Sequence, residues 1–212
     1  MREVVGRRAL LRRLGLLCGL PWLSGCAAPL ALPQAEPRPT PKVTVDAGAS
    51  VYEMSAYADH YQLYFLDERA QPDTGQLWRP EAFADRIDVL PGLLAVATAR
   101  YGFEVPLRVE VRQQAPVVSD ASLSAWEHVA EASVAVPSGR LVVTGPLDDV
   151  ARAPRLPLPP GTYRLRVHYA GLATASGPGD TEGDDHYLVL IWPALKVASA
   201  VLKRAPREYD GP

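Results

Sequence analysis

The densest group of reactive side chains in this 212-residue chain is Asp180, Glu182, Asp184, Asp185 and His186. Carboxylate oxygens this close together suit a hard cation such as Ca²⁺. The spacing fails the EF-type loop, because Glu182 stands where Asp or Asn belongs and no Glu follows at the required distance. Asp180, Glu182, Asp184 and Asp185 are therefore weak metal candidates, and a solvated acidic loop is the ordinary reading. His60, His128 and His168 sit far apart in strand-like segments and read as surface or satisfied core residues. Nucleophilic chemistry finds no frame: Ser124, Ser133 and Ser138 lack a Gly-x-Ser-x-Gly elbow. No glycine-rich phosphate loop ends in Lys-Ser or Lys-Thr. Glu127 and Glu131 are a carboxylate pair of the kind a hydrolase uses, yet on a strand they form an unremarkable surface pair. The expectation is a chain that is not an enzyme and has no catalytic residue and no cofactor.

Binding chemistry is better represented. Arg164 and Arg166 lie two apart, on what the alternation makes the outer face of a strand. They can pair with Glu110 or Glu127 across a sheet, or meet a partner's carboxylates through two-pronged contacts. Tyr57, Tyr64, Trp126 and Trp192 are aromatic candidates for an interface, where Tyr and Trp are enriched. Trp126 and Trp192 are core residues as a first reading. Arg164, Arg166 and Tyr64 are the candidate partner-binding residues.

One cysteine carries a different chemistry. Arg2, Arg7, Arg8, Arg12 and Arg13 form a basic head, Leu14 to Leu23 an apolar middle, and Leu23-Ser24-Gly25-Cys26 a small-residue exit. These are the three parts of an export signal, and the apolar run is too short to span a membrane. The exit resembles the lipobox of bacterial lipoproteins. That resemblance implies cleavage before Cys26, acylation (palmitate among the chains) of its thiol and usually its new amine, and membrane attachment through those chains. Two or three chains hold firmly where one does not. Ala27, in place of an Asp retention mark, is similar to the outer-membrane-sorted kind, facing the periplasm. Gly6-Arg7-Arg8-Ala9-Leu10-Leu11 partly resembles a twin-arginine signal, but a plain basic head accounts for it.

Losing residues 1–25 takes away five arginines and one glutamate, which moves the net charge from −2 to −6. Such acidity opposes nucleic-acid binding and suits a basic protein partner. Cys18 leaves with the signal and Cys26 carries lipid, so no thiol remains for a disulfide. Prolines at 29, 33, 37, 39 and 41 make residues 26–42 an extended tether. Residues 43–203 are expected to form one domain and 204–212 a disordered tail.

Within that domain, alternation predicts strands. The domain begins near Val43 to Val51, and the segments are Tyr57 to Asp67, 93–99, 105–112, 126–136, 140–144, 162–169 and 186–192. The clearest sets Tyr163, Leu165, Val167 and Tyr169 inward against Thr162, Arg164, Arg166 and His168 outward. Pro137-Ser138-Gly139 and Pro159-Pro160-Gly161 are turns. Residues 194–203 read as a short helix. The class expected is an antiparallel β-sandwich of about seven or eight strands.

The order of His60-Tyr61-Gln62-Leu63-Tyr64, Val136-Pro137, the run Leu156-Pro157-Leu158-Pro159-Pro160-Gly161-Thr162-Tyr163-Arg164-Leu165-Arg166 and Asp185-His186-Tyr187-Leu188-Val189-Leu190 is similar to the competence protein J, or nuclease-inhibitor, family. The resemblance covers roughly Tyr57 to Trp192 and assigns no inhibitory residues. It implies a small β-sandwich that binds and silences a co-produced nuclease. The expectation is a lipid-anchored binding protein, an immunity-type inhibitor of a toxin or nuclease. A structural or assembly protein of the envelope and a small-ligand or Ca²⁺-binding module are the alternatives.

Overall fold

Period-two alternation of apolar side chains dictates paired sheets, each burying one face on the other. The computed structural model describes residues 41–46, 48–175 and 183–205. Among them twelve strands follow in order: β1 (Lys42–Asp46), β2 (Ala49–Ala58), β3 (Gln62–Asp67), β4 (Ile87–Leu90), β5 (Leu93–Ala97), β6 (Phe103–Val111), β7 (His128–Val136), β8 (Arg140–Thr144), β9 (Arg155–Pro157), β10 (Gly161–Ala170), β11 (His186–Pro193) and β12 (Ala200–Lys203). Two short helices, α1 (Pro80–Asp85) and α2 (Asp120–Ser124), lie in connections. None of the helices among the described residues is long and apolar enough to cross a membrane.

The larger sheet has the order β1-β2-β6-β11-β10-β7-β12 and the smaller β4-β5-β3-β8-β9. Every pairing is antiparallel except β6 with β11, which run parallel from Leu107–Tyr187 to Val111–Ile191. The inward faces meet in one core. Leu107, Val109, Leu165, Val167, Val189 and Ile191 from the larger sheet face Leu63, Phe65, Leu94 and Val143 from the smaller. Complete burial of a side chain such as Phe65 contributes about 1.5–3 kcal/mol. The β-sandwich expected from the alternation is the observed class.

Three local expectations change. Tyr57 to Asp67 is not one strand: β2 ends at Ala58, and His60 and Tyr61 take φ of 50° and 55°. That left-handed pair turns the chain from the larger sheet into the smaller, with Asp59 and Gln62 bridged across it. Residues 194–203 are not helical, because β12 adds to the edge of β7, with a register shift between Val201 and Lys203. The row Arg164, Arg166 and His168 does point away from the core, but it is buried. The connection from Arg112 to Glu127 and the segment after Pro193 cover it: Arg166 donates to the Pro116 carbonyl, Arg164 to the Val197 carbonyl, and Lys203 to the Leu123 carbonyl at the end of α2.

Candidate functional site

The outer face of the larger sheet divides into a covered part and an open part. The covered part holds the two arginines. Arg164 Nη2 and Arg166 Nε reach the two oxygens of one carboxylate, Glu131, at 3.2 and 2.9 Å. β10 and β7 position this triad, since Arg164 lies opposite Ser133 and Arg166 opposite Glu131 in the ladder. Arg164 also donates to the Ser133 hydroxyl, and Arg166 lies 5.0 Å over the Trp192 ring. Both guanidiniums are thus satisfied internally, through Glu131 rather than Glu110 or Glu127. They are not displayed to a partner. Tyr64 is also withdrawn from the surface. It sits in the small cluster on the outer face of the other sheet, and its hydroxyl donates to Gln62 at 3.1 Å. Burial, then the charge of Asp59, pushes its phenol up to about 12.

The open part is a groove of about 750 Å³ over β2, β6 and the start of β11. Pro106 and Leu188 contribute its apolar surface, and Trp126 and His186 line it as well. Trp126 lies between His168 and His186, tilted against the first and edge-on to the second, with ring centroids 5.1 and 5.9 Å away. Glu53, Ser55, Glu104 and Arg108 supply the polar rim. Arg108 is held by Glu53 and by Glu110, whose other oxygen takes Arg112 at 2.5 Å. Burial alone would push the Glu110 carboxyl up, but hydrogen bonds from Arg108 and Arg112 outweigh it and hold it below its ordinary value. Glu104 is exposed on the same rim. A mouth with an apolar floor, an aromatic wall and an acid on its edge suits an apolar side chain flanked by a basic one.

Beneath the groove, the start of β11 is locked from inside. Asp185 is wholly buried, and its Oδ1 and Arg100 Nε form an ion pair in which each atom meets only the other among the described residues. Tyr187 donates to the other Asp185 oxygen at 2.9 Å and accepts from the Ala99 amide at 2.8 Å. Burial, then the Asp185 charge, pushes the Tyr187 phenol well up. Gly171, at φ +69°, packs directly on the backbone of Asp184 and Asp185, where a Cβ would overlap it. The acidic run is therefore not uniformly solvated: Asp184 is exposed, Asp185 is a core ion, and Asp180 and Glu182 lie outside the described residues. Among the described residues no three His, Cys, Asp or Glu side chains gather as a metal would need. Cys26 and the tether likewise lie outside the described residues.

Two of the histidines are core groups. His128 Nε2 donates to the Asp85 carbonyl at 2.9 Å and Nδ1 accepts from the Ala205 amide, which fixes a neutral tautomer. His168 Nδ1 donates to the Leu188 carbonyl. Burial pulls each down to about 4. Each folded pKa lies below the unfolded one of about 6.5, so protonation favours the unfolded chain. Their contribution is complete above about pH 6.5 and is lost as the pH falls towards 4, by up to about 3 kcal/mol per residue. Urea midpoints at pH 7 and 4.5 are expected to converge substantially in a His128→Phe variant.

Sequence reasoning found Trp126 but left it among core residues, and it missed Glu104 and Arg100. The outward positions of β6 were the available signal for the groove: Pro106 and Arg108 line it.

A seven-on-five sandwich with one parallel central ladder is a small all-β domain whose open outer face fits a binding role. No protein-family model matches the sequence, and none of the curated proteins does. Among solved structures, the chain is similar to ComJ of Bacillus subtilis, described as an inhibitor of the DNA degrading activity of NucA. That likeness has 14% identity and a TM-score of 0.51, over 74% of this chain and 100% of ComJ. A second similar structure is described as Crocagin biosynthetic gene J, with 17% identity and a TM-score of 0.45, over 69% of this chain and 99% of that one. At such identity the correspondence to ComJ shows the fold.

Proposed function

We propose that this chain is a non-enzymatic binding protein that inhibits a protein partner, and that acylated Cys26 holds it at the cell envelope. The observation that carries the inhibitory reading is the match of its fold to the whole length of an inhibitor of a nuclease. The groove around Trp126 and the net charge of −6 after signal removal support a basic partner surface. The test is capture of proteins from native cells on the tagged full-length chain. A single stoichiometric hydrolase whose activity falls on binding is the expected result. Trp126→Ala with Glu104→Lys should weaken its capture at least ten-fold, a change of about 1.4 kcal/mol. A captured hydrolase that stays fully active, or no stoichiometric partner at all, would overturn the reading.

The anchoring half has its own readout. Labelled palmitate is expected in the wild-type chain and absent from Cys26→Ser, which should move from the membrane to the soluble fraction. An unlabelled wild-type chain would remove the anchor.

A second reading, packing against other envelope proteins, is favoured by one feature. Val117, Val118, Leu195 and Val197 are exposed on the two segments that cover the arginines. Under that reading, deletion alone alters envelope permeability, without any toxin present.

A further inference from the structure

Between β2 and β3 lies the one place among the described residues where two consecutive residues with side chains hold left-handed backbone, His60 and Tyr61. Such turns are ordinarily built from Asn-Gly or Gly-Gly, which take that shape without steric cost. Here the two positions carry an imidazole and a phenol, and each lowers stability. The surroundings hold them in place. The Gln62 amide donates to the Asp59 carbonyl at 3.0 Å, the Thr98 amide to the Tyr61 carbonyl at 2.7 Å, and the Gly102 amide to the Ala58 carbonyl at 2.6 Å. The Asp59 carboxylate accepts from the His60 amide at 2.9 Å. Strain fixed this firmly at a tip points to work done outside the fold.

What the turn displays is aromatic. The His60 side chain is 51% exposed and Tyr101 38%. The Tyr101 ring lies 5.5 Å from His60, edge-on, and 5.3 Å from Tyr61. Three rings on two cross-tied loops make a rigid knob, and rigid aromatics lose little freedom on binding. Its surroundings are acidic. A third turn closes the same end of the sandwich after β8, where Gly145 packs on the Tyr57 carbonyl. The turns at 59–61, 98–102 and 145–149 carry Asp59, Asp148 and Asp149 against Arg100, which is paired with Asp185. The knob also runs into the groove. From Tyr101 the chain enters β6 and reaches Glu104, on the groove's rim and opposite Tyr57 of β2. Given the inhibitory reading, on which this rests, we infer that the His60–Tyr61 turn is the element that enters the partner protein. Its rings, with Tyr101, fill a concave, positively charged mouth there, while the groove grips the surface beside it.

The probe is the hydrolase captured by the wild-type full-length chain, and the readout is its activity rather than its capture. His60→Asn with Tyr61→Gly, the turn variant, supplies the sequence that this turn geometry favours. Its melting temperature is expected to stay within about 4 °C of wild type, while the concentration for half-inhibition rises at least about ten-fold. His60→Glu and His60→Lys carry the same backbone cost and differ in charge. His60→Lys is expected to inhibit about ten-fold more weakly than His60→Glu, with a smaller gap at high salt. Undiminished inhibition by the turn variant, with Trp126→Ala, Glu104→Lys impaired, overturns the role of the turn and leaves the inhibitory reading standing. Equal inhibition by His60→Glu and His60→Lys overturns the charged mouth, and it decides alone if the turn variant melts far below wild type. Absence of any inhibited hydrolase overturns both readings together.

Discussion

Replacing Asp185 by alanine is expected to destabilise the domain by about 3–5 kcal/mol, because it leaves the Arg100 guanidinium charged, buried and unpaired. That is a large part of the 5–15 kcal/mol that holds a typical domain. The loss comes from the stranded charge rather than from the strength of the pair. A double variant, Arg100→Met with Asp185→Leu, should therefore recover most of the loss, leaving about 1–3 kcal/mol for the buried Tyr187 hydroxyl that loses its acceptor. Urea denaturation of the single and double variants measures both quantities. Equal losses in the two would mean that packing at this end of β11, not electrostatics, sets the stability.

Glu131→Ala is the second large effect. One carboxylate serves both Arg164 and Arg166, whose side chains are each 6% exposed. Its removal brings two cations together under the covering segments with no anion between them. The expected cost is about 3–5 kcal/mol, with Glu131→Gln intermediate because the amide oxygen still accepts a hydrogen bond. The cover should loosen with it. Amides near Val197, which donates to Ser133 beside the triad, should exchange hydrogen faster well below the unfolding transition. Unchanged exchange there would show that β12 and its approach are held by their backbone ladder alone.

These two sites mark where the sequence was legible and where it was not. The strands β6 and β10 could be read directly, because strict alternation records which side chains share a face. Alternation does not record whether a second layer lies over that face. Arg164 and Arg166 accordingly read as a displayed row, while the structure roofs them with residues from two distant connections. Asp185 looked like part of a hydrated acidic run because its partner, Arg100, is 85 positions away. The break at His60 and Tyr61 was hidden for a different reason. Left-handed backbone is normally announced by Gly or Asn, and neither stands there. Residues 194–203 read as a helix for want of a period-two pattern. The later segment Ala200–Lys203 is too short for a period, and its strand form comes from the free edge of β7.

The parallel ladder in the middle of the larger sheet has a consequence for how the chain is made. It joins residues 107–111 to residues 187–191, so β1, β2 and β6 find their central neighbour only when nearly all of the chain has appeared. Pairings between positions so far apart close slowly. The first half can pair β1 with β2 and β6, and β5 with β3 and β4, but the larger sheet cannot close until β11 has followed. The same topology makes completion of the core the last step in the making of the chain, one that waits on residues 187–191.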